Sequence, residues 1–582
     1  MDNIVSKAPN YDAKIKVILD ATRPGERVCE LTGHKWQMSD EEISWYQKFQ
    51  VPPSKMSPFT RWQLASGFYV GYQWWWQKHP ETNKPILTGV HPATGIRVLP
   101  DEEWFSKDFS DQNRTYDISK SFFAQWHQLQ KDIPSHATRN FKDPYNSITL
   151  VSNGDVESYF VLGCTSERSL YSVNSTCRDS CLIHWSNHVS ESFMVSDSSN
   201  VHHSRYVLDS SEIMDSDFIF SSTDLDHCFF SSNQHHKKYL WMDKPISQGE
   251  YEKRISQLDF SRRSNIEKYE KTFFEYLQTQ VIWPPYVIVN APGSSGEYIV
   301  KCLNCVHCYA CANGARDCYW CIHAYDKAER CAFVIGTYET EEGYYSCAVT
   351  ESFKVKFSAY CRHCQDIEYC FNCIDCENCF GCVGLSRKKF HIFNRLYEEE
   401  EYWKQVDELK CAMLERDEYG EFFPLAFSPS YMPGSGPALY LLTDDKDLPK
   451  LGAYMFDPES CGAIGEDLSQ SQNPTPISEI PDSIDDLTDD WINKPLLDTN
   501  YNRRFAFIKP EIEFYRKYRL APPNDHFMYR VRNLMWLANG AVFEKQTCEK
   551  CQKEIQVAKN KHFLKRRIYC WDCYLRYVET RE

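Results

Sequence analysis

Ser192-Phe-Met-Val-Ser-Asp-Ser198-Ser-Asn-Val-His-His-Ser204 is one period of a pattern that runs through the middle of the chain. The column Ser158, Ser169, Ser180, Ser192, Ser204, Ser216 and Cys228 steps by 11, 11, 12, 12, 12 and 12 residues. Three residues before these positions stand Cys177, Val189, Val201, Ile213 and Leu225; three after stand Ile183, Val195, Val207 and Ile219. A second serine column, Ser186, Ser198, Ser210 and Ser222, completes the set. Inward positions therefore recur every third residue and alternate small with apolar. A period this short suits one coil of a β-solenoid, stacked on the next at about 4.8 Å. Serine hydroxyls satisfy turn backbone where a narrow coil bends. A disordered serine-rich stretch would carry no apolar columns.

Two longer repeats frame this one. Lys237-Lys-Tyr-Leu-Trp-Met-Asp-Lys244 returns 151 residues later as Lys388-Lys-Phe-His-Ile-Phe-Asn-Arg395. Each copy follows a run of small coils and precedes a helix-like segment, so each reads as the strand that closes an open stack. Glu42-Ile-Ser-Trp-Tyr-Gln-Lys-Phe49 returns near the other end as Glu511-Ile-Glu-Phe-Tyr-Arg-Lys-Tyr518. On that alignment Cys548 and Cys551 fall opposite His79 and Thr82, making the N-terminal module a metal-free copy of the C-terminal one.

The expected fold is mainly β with helical caps: two tandem small-coil β-solenoid blocks flanked by related α+β terminal modules. The divisions are an N-terminal module (1–110), a helical connector (111–146), a serine-rich block (147–290), a cysteine-rich block (291–410), a Pro/Gly-rich and acidic linker region (411–500) and a basic zinc-ribbon module (501–582). The connector carries a helix with Phe122, Phe123, Trp126 and Leu129 on one face, Ser119 as N-cap and Pro134 as its end. Residues 424–437 read as loop and 466–490 as an exposed linker. Trp74-Trp75-Trp76 reads as buried.

Cys548-x2-Cys551, 18 residues, then Cys570-x2-Cys573 is the strongest chemical signal. Two such hooks, with a hairpin between them, build a closed four-thiolate site for a structural zinc ion. The cysteine ladder is open to two readings. It comprises Cys302, Cys305, Cys308, Cys311, Cys318, Cys321, Cys331 and Cys347, then Cys361, Cys364, Cys370, Cys373, Cys376, Cys379 and Cys382, the second run stacking by nines. Thiols three apart chelate metals; buried thiols also fill cores as small apolar groups, and the every-third spacing matches the serine block. Asp197, Asp209, Glu212, Asp215 and Asp217 read as solvated turns, and the pairs His202-His203 and His235-His236 as surface residues.

The 582 residues carry a net charge of −16. From Tyr501 onward, however, 18 Lys and Arg face 9 Asp and Glu. Arg516, Lys517, Arg530, Arg532, Lys565, Arg566 and Arg567, mixed with Tyr515, Tyr529 and Trp536, suit a nucleic-acid backbone. No stretch reads as a leader or a membrane span, and 26 cysteines in a reducing compartment would be thiols or metal ligands, so the expected location is the cytoplasm.

Cys29-Glu-Leu-Thr-Gly33, Glu418-Tyr-Gly-Glu-Phe-Phe-Pro424, Cys376-Glu-Asn-Cys-Phe-Gly-Cys382 and Tyr569-Cys-Trp-Asp-Cys-Tyr574 together resemble an uncharacterised cysteine-rich family of candidate-phyla (Patescibacteria) bacteria. The resemblance runs from about residue 28 to the end. It implies zinc hooks in the terminal modules and basic stretches after the second hook, and it implies no reaction. This chain departs from the pattern at its N-terminus, where only Cys29 remains, with His34 and His79 close to where ligands would stand.

The leading expectation is a non-enzymatic, zinc-binding scaffold that presents a solenoid face to a protein or nucleoprotein partner. The alternatives are a nucleic-acid- or ribosome-associated factor using the basic module, and a multi-metal protein or enzyme acting through the ladder. No Walker loop, dinucleotide fingerprint, nucleophile elbow or HExxH helix is present.

Overall fold

The computed structural model describes residues 6–459 and 473–581. It is strand-rich, with two large, mostly parallel sheets of 12 and 13 strands. In the first, Val189 pairs with Val201, Val201 with Ile213 and Ile213 with Leu225, each partner twelve residues on. The earliest layers step by eleven, as Tyr159 pairs with Leu170 and Leu170 with Cys181. Between layers the serine column is wired through its hydroxyls. Ser192 N–H donates to Ser180 Oγ at 3.2 Å, Ser204 N–H to Ser192 Oγ at 3.1 Å, and Cys228 N–H to Ser216 Oγ at 2.9 Å. The apolar columns, from Cys177 to Leu240, close into one buried cluster.

The backbone explains why inward side chains must be small. Every third residue has a positive φ, as in Met194, Asp197, Asn200, His203 and Tyr206, where it lies between 46° and 58°. Each sits immediately before an inward position and bends the chain, so a twelve-residue layer has four bends and four short sides. Left-handed backbone costs an L-residue about 1–2 kcal/mol. Asn, Asp and His tolerate it best and fill many of these positions. The layer-to-layer hydrogen bonds and the buried columns offset the rest.

The second sheet follows the same rule with cysteine in the columns. Val355 pairs with Ile367 and Ile367 with Cys379, again twelve apart. Stacking by nines is therefore incorrect: three inward steps span only three of the four sides. The columns are Ser352, Cys364, Cys376 and Ser358, Cys370, Cys382. The layers from Leu303 to Ile335 take thirteen residues, as Cys305 pairs with Cys318 and Ile322 with Ile335. Both stacks close alike. Leu240 pairs antiparallel with Pro245, and His391 with Leu396, across turns in which Met242, Asp243, Phe393 and Asn394 are all left-handed. The helices Gln248–Ile255 and Glu399–Glu415 follow.

The terminal modules repeat at a constant offset. Helices Asp40–Phe49 and Pro58–Gly67 answer Lys509–Lys517 and Phe527–Met535, with buried ion pairs Glu42–Arg61 (2.5 Å) and Glu511–Arg530 (2.9 Å), both 19 residues apart in sequence. Each docks on a different stack: Arg61 reaches Tyr344 Oη in the second, and Tyr171 Oη of the first donates to Glu511.

Four further expectations need correction. Residues 424–437 are irregular as read, but Leu425, Met432 and Pro437 are buried, so the region is packed rather than a linker. Residues 466–472 lie outside the described residues. From 473 to 490 the chain forms short 3-10 turns whose Ile477, Ile480, Ile484 and Leu487 are buried. The connector helix is capped by Ser121, whose Oγ accepts from Ala124 N–H, and not by Ser119, whose hydroxyl bonds Asp117. Trp74 and Trp75 are buried, while Trp76 faces out. One core cluster, from Tyr11 to Ile568, draws on all the divisions. No described helix is long and apolar enough to cross a membrane.

Candidate metal centre

Strands Asn539–Thr547 and Glu554–Asn560 form an antiparallel hairpin. The first hook is its tip. The two strands thus flank the first hook, and only the second of them lies between the hooks, where both were expected. Cys548 N–H donates to Lys553 O, and Gln552 N–H to Cys548 O, both at 2.9 Å. Gln552, at φ 63°, turns the chain back so that Cys548 and Cys551 point the same way. The second hook opens the last helix, Trp571–Glu579, with Cys570 at its N-cap and Cys573 in its first turn. The positive end of that helix favours thiolate.

The four thiol sulfurs lie within 4.8 Å of one another, and Cys551 and Cys570 are 3.7 Å apart. A tetrahedral ion with sulfur bonds of about 2.3 Å requires edges of about 3.8 Å, so the donor set fits a metal ion. Cys548 and Cys570 are buried, Cys573 is half-buried and Cys551 is exposed. Burial raises the Cys548 thiol, but N–H groups of Cys570, Cys551 and Lys550 aimed at its sulfur outweigh it and bring it down to about 6. Four protein donors leave no open coordination position. A metal ion held there would cross-link the hairpin tip to the last helix, which sits against the end of the first stack. There Tyr574 Oη donates to Asn233 Oδ1 at 2.8 Å, and Arg581 pairs with Asp243 at 2.8 Å.

The N-terminal copy keeps this turn with different side chains. His79 N–H donates to Lys84 O at 2.8 Å and Asn83 N–H to His79 O at 3.0 Å, with Asn83 at φ 58°. His79 Nδ1 accepts from Glu81 and Thr82 N–H, the counterparts of the Lys550 and Cys551 donors. This leaves the proton on Nε2, which meets Glu103 Oε2 at 2.7 Å in the helix Asp101–Ser106. A histidine–glutamate bond thus ties tip to helix where four sulfurs do so in the other copy. Sequence reading had aligned His79 with Cys548, but Glu103 carries no motif that would mark it. Cys29 heads a third turn of the same kind, donated to by Gly33 N–H and closed on His34 O. Its thiol is brought down to about 7, because hydrogen bonds from Thr32 and Thr60 outweigh the burial that raises it. His34 is exposed.

Every ladder thiol from Cys302 to Cys321 and from Cys361 to Cys382 is buried. The Cys364 thiol donates to Arg362 O, Cys370 to Glu368 O and Cys382 to Phe380 O. Serines of the first block do the same, Ser192 to Ser190 O and Ser204 to His202 O. Cys370 N–H also takes Ser358 Oγ as its acceptor at 3.0 Å, so hydroxyl and thiol share one column. Among the described residues only two groups bring three or more donors together, the four hook cysteines and Asp215, Asp226 and His227. In the latter, Lys238 already pairs with Asp226 at 2.6 Å. The acidic turns bond across layers, as in Arg205 to Asp217 and His203 to Asp215.

The basic residues do not form one open surface. Arg530 and Arg566 are buried: Arg530 belongs to the Glu511 ion pair, and Arg566 donates to Asn539 Oδ1 and Ala558 O. Arg516 pairs with Asp489 at 2.6 Å, Arg567 with Glu549 at 3.0 Å, and Lys517 lies 3.8 Å from Asp179. Arg532 is stacked against Tyr529 and Trp536. Lys565 is exposed. Much of this positive charge thus meets the chain's own acidic stretches.

No family model and no curated protein matches the chain. Among solved structures, a crystal structure at 2.28 Å of a protein from Desulfovibrio desulfuricans G20, provisionally called an acetyltransferase, aligns at 9% identity over 41% of this chain and 65% of that one. Its TM-score is 0.10; at that value the likeness establishes neither fold nor activity.

Proposed function

We propose that this chain is a non-enzymatic scaffold or binding protein, built as two β-solenoid blocks and locked at its C-terminal end by a structural zinc ion in a zinc ribbon. The observation that carries the reading is the set of four converging thiols, whose closed donor sphere suits a fold-stabilising metal rather than a reactive one. The twelve-residue register supports the solenoid, and the rigid, layered faces of such a stack suit a macromolecular partner. The described cysteines are all free thiols, which fits a reducing compartment, and we place the protein in the cytoplasm. The same hooks support membership of the Patescibacteria family whose motifs the chain shares. The nucleic-acid reading has little free charge left to rest on. The test is metal analysis and affinity capture on one sample from the source cell. One zinc per chain together with a stoichiometric macromolecular partner is expected; a metal-free protein running alone as a monomer would overturn the proposal.

A further inference from the structure

A cleft of about 770 Å³ separates the two stacks, floored by the N-terminal region and running along several layers of each. Its wall from the second stack is one register column, in which Tyr325 pairs with Tyr338 and Thr350 with Arg362, which in turn pairs with Ile374. Polar groups without partners occur both on this wall and on the segment from His136 to Arg139 that meets it. Arg139, Arg362, His136, His323 and Thr337 line the cleft, and within these side chains Nε and Nη2 of Arg139, Nε of Arg362, both ring nitrogens of each histidine and Thr337 Oγ1 are buried with no hydrogen-bond partner. His136 is 6% exposed and His323 is 1% exposed. Orphaned polar atoms are uncommon in folded proteins, because each carries a desolvation cost of about 1–3 kcal/mol, and several sharing one cavity point to a missing partner.

One end of the cleft is cationic. The Arg139 guanidinium lies 3.8 Å above the Tyr360 ring and that of Arg362 lies 5.0 Å from the Phe141 ring. Stacking fixes the plane of a guanidinium and leaves its N–H edge for an oxyanion. Asp101, the acid nearest His136, is committed to Thr138 N–H, Thr138 Oγ1 and Asn140 N–H at 2.7–3.0 Å. His136 is packed on Trp104 at 4.7 Å. Burial, reinforced by the two arginines, holds the imidazole down at about 4, so it is neutral and offers one donor and one acceptor. The volume is that of a site for an organic molecule and far exceeds a single inorganic ion.

We propose that the cleft binds a small organic anion, its carboxylate or phosphate group seated between Arg139 and Arg362 with His136 beside it, and its remainder extending toward Thr337 and His323. This goes beyond the scaffold reading and does not depend on the metal. The test is calorimetric titration of the full zinc-loaded chain with inorganic phosphate and, separately, with acetate. Saturable binding of at least one is expected, and the stronger one identifies the oxyanion. R139Q/R362Q should weaken that binding by about tenfold or more, with zinc content and circular dichroism unchanged. If the double variant does not fold, R362K serves instead; it keeps the charge but loses the fork, and weaker binding is again expected. Absence of saturable binding by both anions, or equal binding by folded variant and parent, overturns the proposal.

Discussion

Glu511 and Arg530 meet at 2.9 Å with both side chains almost wholly out of water. Tyr171 and Tyr515 add hydroxyl donors to the carboxylate, at 2.5 and 3.2 Å. Glu42, Arg61 and Tyr46 build the same cluster at the other end. Such a pair is costly to desolvate and tolerable only while complete; removing one member strands the other, at about 3–5 kcal/mol. E511Q or R530M should therefore lower the urea unfolding midpoint strongly, while E511L/R530M recovers much of the loss. A double variant whose loss equals the sum of the two single losses would show that the two side chains are not coupled.

Sequence reading reached the layered stacks because serine alternates with valine and isoleucine, and that alternation reveals how many sides a layer has. In the cysteine run every inward position from Cys361 to Cys382 except Ile367 carries the same residue, so the period of three survives and the period of twelve is hidden. That is why Cys361, Cys370 and Cys379 looked like one column. Arg530 was misread for a different reason. Charge and aromatic neighbours suggest a surface, and only its alignment with Arg61 through the Glu42 and Glu511 repeat would have placed it inside. The hook cysteines were legible because their spacing alone constrains geometry. His79 was legible only as the counterpart of Cys548, and Glu103 not at all, since a hydrogen bond between a hairpin tip and a helix leaves no fixed spacing.

If the hooks hold metal, its removal should act locally. Chelation, C548S or C570S is expected to abolish the single bound zinc and to speed hydrogen exchange in the segment from Asn539 to Glu579 by at least tenfold, with the two stacks still protected. More than one zinc per chain would return the ladder to the list of metal sites.

Column positions should accept a hydroxyl for a thiol but not a hydrocarbon for a hydroxyl. Ser358 Oγ donates to Lys356 O at 2.8 Å and accepts from Cys370 N–H at 3.0 Å. S358V strands both groups and should cost about 1–3 kcal/mol, whereas C370S, which restores the serine pattern of the first block, should stay within about 1 kcal/mol. Thermal and urea unfolding of the two variants would measure the difference. A destabilising C370S with a neutral S358V would mean that packing, not hydrogen bonding, sets the column.

Glu297 couples stability to pH. It is fully buried on the strand Gly296–Val300, second in its sheet, accepting from Asn539 Nδ2 at 2.7 Å and Val287 N–H at 2.8 Å. Burial pushes its carboxyl up to about 8, against the lowering effect of those bonds and of Arg566. In the unfolded chain it titrates near 4.3. Between those values the unfolded state has released the proton that the folded state keeps, so folding takes up a proton and stability falls as pH rises through that window. Below about 4.3 both states are protonated and its contribution is intact; above about 8 the contribution is lost. E297Q keeps the shape and removes the titration. It should match the parent at low pH and exceed it in stability above pH 8, by a margin of order 1 kcal/mol or more, with the crossover read from urea midpoints across the range. A parent and a variant with parallel pH profiles would mean that Glu297 is already ionised in the fold, stabilised by Arg566.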